Sequence, residues 1–437
     1  MTEVEEIKAT LAKFRDVEAV PEALPEGVDP EEYIITTYSV ILPAGMDASE
    51  VGQVFAVEQS TGTWIPVPGE SAEVRKKHVA KVVGVYEIPY HEMGIPPDVT
   101  ERQYIIQIAY PVINIGQQIP MLLTTVVGNI SCFEKLKVLD MRFPKSFVDG
   151  FKGPKFGIKG VRKLLRVKDR PLLNNMIKPC TGFPPELGAK WAYEVAAGGV
   201  DTVKDDELLG NPSFNRVEDR VPKYMEAIDR ANSETGEKTM YTVNVTDEAD
   251  KTVELAEKAI ESGANGIMIN YLTAGLPIMR KLAEDPSINV PILAHMDFSG
   301  TMYVSKFSGL SSHLILGKLP RLAGADIVVY PAPYGKAPTL KERYLQTAHV
   351  LTYPFYDMKS TWPMPSGGIT PAMVPSLFED LGPDIVVGVG GGIHGHPMGP
   401  RAGARAFRQA IEAVMTGKKI KQMAKDHEEL KVALESL

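Results

Sequence analysis

Cysteine is nearly missing from this chain: its 437 residues include only Cys132 and Cys180. Two thiols so far apart cannot build a disulfide framework, so the sequence predicts a cytoplasmic protein kept reduced. No stretch reaches the roughly 18 apolar residues that a membrane span needs. The start, "MTEVEEIKATLAKF", is acidic and amphipathic and lacks the apolar core of a secretory signal. Basic residues are in the minority, 47 Lys and Arg against 55 Asp and Glu, for a net charge of −8. That balance argues against nucleic acid or an anionic membrane as a partner. The basic run "RKLLRVKDR" (162–170) then reads as a solvated helix face. Low-complexity tracts and internal sequence repeats are also lacking.

Alternating secondary-structure signals fill the chain instead. Residues 1–150 read as an α+β N-terminal domain. The strand-like "EEYIITTYSVILP" (31–43) precedes a helical "DASEVGQVFAVEQS" (47–60), and "AKVVGVYEIPY" (80–90) and "RQYIIQIAYPV" (102–112) follow as strands. Residues 151–418 then alternate short apolar runs with amphipathic segments. The runs are "MIKPC" (176–180), "VDTVK" (200–204), "MYTVNVT" (240–246), "GIMINY" (266–271), "VPILAHM" (290–296), "DIVVYP" (326–331), "TWPMPSG" (361–367) and "DIVVGVGGG" (384–392). Apolar strands bounded by helices indicate a parallel sheet covered on both faces. Eight strand–helix units predict a C-terminal (β/α)8 TIM barrel, an α/β fold, with a helical tail over 419–437.

Active sites of such barrels form at the C-terminal ends of the strands, so polar residues there carry information. Lys178 lies in the first run, followed by Pro179 and Cys180. Lys204, with Asp206 and Glu207 just beyond, ends the second. Asn244 is near the end of the third and His295 at the end of the fifth, while Ser366-Gly367-Gly368 closes the seventh and Gly390-Gly391-Gly392 the eighth. Strand alternation points Lys204 and Asp206 the same way and Asp205 to the other side. A lysine beside two carboxylates is either a buried ion pair or, if its amine has added CO2, a carbamate that completes a three-carboxylate Mg2+ site. The glycine-rich ends of strands seven and eight offer backbone N–H groups to an anion, where barrels commonly hold phosphate. His394, His396, His313 and His349 read as structural, Cys180 as a small packing residue, and Trp191 and Tyr193 as core.

At these positions the sequence resembles the large chain of ribulose-bisphosphate carboxylase (RuBisCO). "GGVDTVKDDE" (198–207) is similar to that family's lysine-carbamylation and magnesium motif, and "AVEQSTGTW" (56–64) to its N-terminal segment. "VVGN" (126–129), "IKP" (177–179), "NVT" (244–246), "PSGG" (365–368) and "GGGIHGHPMGP" (390–400) follow in the family's order. The resemblance implies that Lys204, carbamylated by CO2, binds Mg2+ with Asp206 and Glu207. It implies that Lys178 and His295 act on the substrate, and that Ser366, Gly367, Gly368, Gly390 and Gly391 hold phosphate. Glu58, Thr63, Trp64 and Asn129 would complete the neighbouring subunit's site, which implies a homodimer.

The departures limit the activity. Carboxylases read Lys-Pro-Lys where this chain has Lys178-Pro179-Cys180, and they carry an arginine at Met296 and a histidine three residues after it. Around Lys336 the mobile glycine loop becomes "VVYPAPYGKAP" (328–338). Part of the second phosphate's binding set is therefore lost, which identifies the chain as a RuBisCO-like protein rather than a carboxylase. The implied chemistry is Mg2+-dependent enolisation, a tautomerase or isomerase step, on a phosphorylated ketose such as a methylthioribulose-phosphate-like compound. Decarboxylation of a 3-oxo sugar-acid phosphate through the same enolate is the alternative. Carboxylation, a Schiff-base aldolase using Lys178, and a non-catalytic sugar-phosphate binder rank lower.

Overall fold

The computed structural model describes Glu5, Ala9 and residues 16–62, 67–337 and 339–436. Two compact units result: Met1–Phe151 with Gly300–Ile315, and Lys152–Ser299 with Leu316–Leu437. No helix among the described residues is long and apolar enough to cross a membrane.

The first unit contains strands β1 (Tyr33–Pro43), β2 (Lys81–Glu87), β3 (Glu101–Pro111) and β4 (Leu136–Arg142). Every second residue of β1 is buried, as expected for a strand with one covered face. The helix Ala48–Glu58 begins where the Asp47 carboxylate accepts the amides of Ser49 and Glu50, at 2.8 and 3.4 Å. Tyr38 and Tyr110, from β1 and β3, share a buried hydroxyl–hydroxyl bond of 2.8 Å, and the Tyr38 hydroxyl also lies 2.7 Å from Val126 O. The sequence reading missed β4, because "LKVLDMR" mixes charge into its apolar pattern.

The second unit is the predicted barrel. Strands β5 (Leu172–Met176), β6 (Thr202–Lys204), β7 (Met240–Asn244), β8 (Gly266–Asn270) and β9 (Ile292–His295) are followed, in the first unit, by the two-residue β10 (Gly309–Leu310). β11 (Ile327–Pro331), β12 (Trp362–Ser366) and β13 (Val386–Val389) then complete the barrel. β10 pairs with β4, so the sheet of the first unit runs β10-β4-β1-β3-β2 and residues 300–315 leave the barrel they interrupt. The eight other strands form a closed ring, β11-β12-β13-β5-β6-β7-β8-β9. Their residues are buried throughout, as a parallel sheet covered on both faces requires.

Carboxylate and amide side chains fix the lower rim, where the strands begin. Asp326 accepts the amides of Phe156, Gly157 and Ile292 at 2.7, 2.7 and 2.9 Å. Asp201 accepts Leu173 N at 2.8 Å and pairs with Arg170, and Asn265 accepts Tyr241 N at 2.7 Å. The helix Gly157–Leu165 closes this end, with Val161 and Leu165 in one core with Met240, Met268, Trp362 and Met364. The basic run is therefore not a uniformly solvated face. Lys163 and Leu164 are exposed, but the Arg162 guanidinium lies 4.6 Å over the buried Trp362 ring and 2.6 Å from Asp384. Trp191 and Tyr193 are half-buried rather than core. Trp191 meets Phe183 edge-on, and Tyr193 lies beneath Arg230 and donates to Glu234.

Candidate active site

The upper ends of the strands carry the candidate residues. Lys204 ends β6 with its side chain wholly buried. Its Nζ donates to Asp205 O at 2.7 Å and lies 3.9 Å from Glu207 Oε2 and 3.6 Å from Met268 Sδ. Burial lowers the pKa of this amine despite the acids around it. A buried ammonium loses hydration that the neighbouring carboxylates replace only in part, so the neutral amine gains ground. A neutral amine is the form that adds CO2.

Asp205 faces away, as the alternation predicted. Its Oδ2 accepts Arg220 Nε and Nη2 at 3.1 and 2.9 Å and the amide of Asn244 at 2.9 Å, while Oδ1 accepts the Tyr241 hydroxyl at 2.8 Å. Arg220 also donates to Asn215 O and Gly210 O. This buried cluster holds the turn from β6 into its loop, and with it the direction of Lys204 and Asp206. Nothing in the sequence reading found Arg220, which sits in the charged helix Val217–Thr235 and looks there like a surface residue.

Asp206 is 1% exposed, and its Oδ2 accepts Lys178 Nζ at 2.5 Å. Burial would raise the Asp206 carboxyl, but the ammonium groups of Lys178 and Lys204 hold it at about 2. For Lys178, burial pulls the other way too, yet the bond to Asp206 and the 3.0 Å contact with Cys180 Sγ leave its pKa raised. Lys178 itself stands two residues past the end of β5, because the strand that the sequence placed at 176–180 runs over Leu172–Met176. The true strand contains Asn174 and Asn175, whose polarity hid it. Asn174 Nδ2 is satisfied by Thr202 Oγ1 at 2.6 Å.

Glu207 Oε2 lies 3.3 Å from His295 Nε2, and His295 Nδ1 lies 3.3 Å from Asp297 Oδ1. Two asparagines fix the backbone here: Asn270 donates to Glu207 O at 3.0 Å, and Asn244 to Asp206 O at 3.3 Å. Asn270 is the polar last residue of β8, the same signal that marked Asn244 and His295, and it was overlooked. Met296, where carboxylases have arginine, packs against the barrel core and brings no charge.

Opposite these groups, Ser366 ends β12 and is followed by Gly367 and Gly368 at φ 101° and 81°, a backbone that side-chain-bearing residues avoid. Lys336 reaches this turn through its amide, which donates to Gly367 O at 2.7 Å. Gly390 follows β13, and a Cβ there would stand 2.9 Å from Lys178 Cε. Gly391 faces open space. His394, whose pKa burial and Lys178 lower to about 4, is a neutral ring 3.1 Å from Asn175 Oδ1, and His396 bonds Glu429 O. In the first unit, Asn129 Nδ2 donates to Glu58 Oε1 at 2.9 Å. Thr63 and Trp64 lie outside the described residues.

Among the described residues, no three His, Cys, Asp or Glu side chains gather as a metal site. Asp206 and Glu207 would offer two oxygen donors to a hard cation, and the neighbouring Lys204 amine would become a third anionic donor if it added CO2. The donor set fits Mg2+ in that modified form.

Models of the ribulose bisphosphate carboxylase large chain match twice, the catalytic domain over residues 157–437 and the N-terminal domain over 26–147. The chain is 65% identical over 411 residues to a ribulose bisphosphate carboxylase-like protein of Archaeoglobus fulgidus, covering 94% of each. It is 37% identical over 406 residues to a 2,3-diketo-5-methylthiopentyl-1-phosphate enolase of Geobacillus thermodenitrificans, 92% of this chain and 97% of that one. The crystal structure of a RuBisCO-like protein from Alicyclobacillus acidocaldarius superposes with a TM-score of 0.86 at 36% identity, covering 93% of this chain and all of the other. The chain belongs to the ribulose bisphosphate carboxylase large-chain family, among its RuBisCO-like proteins.

Proposed function

We propose that this protein is an Mg2+- and CO2-dependent enolase of a phosphorylated ketone, with a methylthiopentyl diketo phosphate as the leading substrate. The observation that carries this reading is the buried, depressed-pKa Lys204 amine beside Asp206 and Glu207. The enolase name of relatives such as the Geobacillus protein supports the substrate class. Met296 supports it independently, since a site without that arginine is suited to one phosphate rather than two.

In this reading Lys204 is carbamylated, and Lys204, Asp206 and Glu207 hold the metal. Bound there, Mg2+ supplies a Lewis acid that polarises a ketone oxygen. Lys178 is the base that removes a proton from the carbon next to that ketone. The C–H electron pair becomes the C=C bond, the carbonyl pair moves to oxygen, and the oxygen is protonated to give the enol. Lys178 must be neutral for this. Its present cationic form is sustained by Asp206, and a cation held by Asp206 would weaken that support. His295, held between Glu207 and Asp297, orients substrate hydroxyl or carbonyl groups. Backbone amides of Ser366–Gly368 and Gly390–Gly391, with Lys336 beside them, bind the phosphate. Assembly as a homodimer, with Glu58, Thr63, Trp64 and Asn129 serving the partner's site, follows from the family resemblance.

The test incubates the protein with 2,3-diketo-5-methylthiopentyl 1-phosphate in D2O, with Mg2+ and bicarbonate, and follows the substrate by NMR. Deuterium uptake next to the ketone, lost on chelation, is the expected result. No exchange, with CO2 release from a 3-oxo sugar-acid phosphate instead, would move the assignment to a decarboxylase.

A further inference from the structure

The barrel has a second concentration of charge at the end opposite Lys178 and Lys204. A cavity of about 770 Å3 opens where β5, β12 and β13 begin, walled by Lys155, Lys159, Arg162, Lys163, Lys168 and Lys359. Asp384 is the one acid in its described lining, so six cations against one anion leave +5 in a chain whose net charge is −8. Asp384 is already bonded to Arg162. Nearby Asp326 is occupied by three backbone amides.

The five lysines have no carboxylate within ion-pair distance among the described residues. Lys155 Nζ donates to the carbonyls of Asp285 and Ile288, both at 2.6 Å, and Lys359 Nζ to the carbonyl of Lys155. Lys159, Lys163 and Lys168 are exposed and make no hydrogen bond or ion pair with any described residue. Lys159 and Lys163 stand one turn apart on one face of the helix Gly157–Leu165. With the other cations they surround a concavity, where low-dielectric walls concentrate the positive potential. Part of the lining is apolar: Phe156 and Ile158 pack against the barrel core, and Met358 lines the same cavity. Arg162 is fixed between the Trp362 ring and Asp384. The volume is that of a typical small-molecule site, and the lining joins an apolar patch to a cationic rim. In that rim Lys155 and Lys359 face Asp326 and Asp285, while Lys159, Lys163 and Lys168 have no carboxylate partner among the described residues.

We propose that this cavity binds a small organic polyphosphate, its phosphates taken by Lys159, Lys163, Lys168 and Lys359 and its organic part by the Phe156–Met358 side. The site is separate from the phosphate-binding turns at the other end of the barrel.

Calorimetric titration of the full-length protein with ATP and with inorganic triphosphate tests it, alongside the triple variant K159Q/K163Q/K168Q. Both probes are expected to bind the wild type, ATP more tightly. The triple variant should bind at least about tenfold more weakly, because charge-assisted contacts to phosphate are lost, while enolase activity and melting temperature stay unchanged. Lys168→Gln alone, outside the helix, should give a smaller loss in the same direction. Unchanged affinity in the triple variant overturns the proposal. So does a parallel loss of activity and binding, which would place the phosphates in the catalytic site. Triphosphate binding as tightly as ATP would overturn the organic part.

Discussion

Lys178 Nζ and Asp206 Oδ2 stand 2.5 Å apart, so the carboxylate proposed as a metal ligand is neutralised by the lysine proposed as the base. One contact thereby sets two protonation states. It keeps Asp206 ionised and Lys178 charged; under the proposed function, a cation held by Asp206 would weaken that support for the Lys178 charge.

Lys178→Gln is expected to lower turnover by at least about 100-fold, the usual contribution of a positioned base. It should also let the Asp206 carboxyl rise from about 2. A depressed carboxyl contributes stability that is complete above its unfolded pKa near 3.9 and lost as pH falls toward 2, here on the order of 2 kcal/mol. Acid unfolding of the variant should therefore lack that part of its pH dependence, which denaturant titrations between pH 2 and 5 would detect.

Gly390→Ala is expected to slow catalysis with little loss of stability. The added methyl would stand 2.9 Å from Lys178 Cε, at the far end of a flexible side chain that can move aside. Steady-state kinetics should show a fall in kcat, with the melting temperature within a few degrees of wild type. A large loss of stability with normal kcat in the remaining folded enzyme would contradict the assignment of Lys178.

Arg220→Met should destabilise the barrel by about 3–5 kcal/mol, since it leaves the Asp205 carboxylate buried without its cation. Folded Arg220→Lys protein should bind Mg2+ more weakly in bicarbonate buffer, because the turn carrying Asp206 and Glu207 loses the bonds to Gly210 and Asn215. Equilibrium dialysis measures that affinity.

Asp326 predicts a pH effect of opposite sign. Burial, opposed by its three amide bonds, raises this carboxyl to about 6. The folded state then holds a proton that the unfolded chain gives up near 3.9, so stability from this group grows as pH falls from 6 to 4 and is lost as pH rises through 6. Asp326→Asn keeps one acceptor oxygen, should cost about 1–3 kcal/mol, and should flatten the stability profile between pH 4 and 6 relative to wild type.

Strand alternation made part of the site legible in the sequence. Lys204 and Asp206 had to share a face, and Asp205 had to turn away. The glycine turn after β12 was legible for a similar reason, since Gly367 and Gly368 adopt a backbone that other residues avoid. Other features depended on contacts between distant residues. Arg220 lies in a helix rich in surface charge, and only the fold shows that its guanidinium reaches Asp205. β5 was displaced because Asn174 and Asn175 interrupt its apolar run, although each side chain finds a partner on a neighbouring element. The departure of residues 300–315 from the barrel rests on a two-residue strand, too short to leave a pattern.

The central claim is that Lys204 becomes an anionic ligand by adding CO2. 13C NMR of the protein equilibrated with 13C-bicarbonate and Mg2+ tests it most directly. The account predicts a carbamate resonance in the wild type that is absent from Lys204→Arg, which keeps a cation but cannot form the adduct. No carbamate signal in wild-type protein that is catalytically active under the same conditions would contradict it.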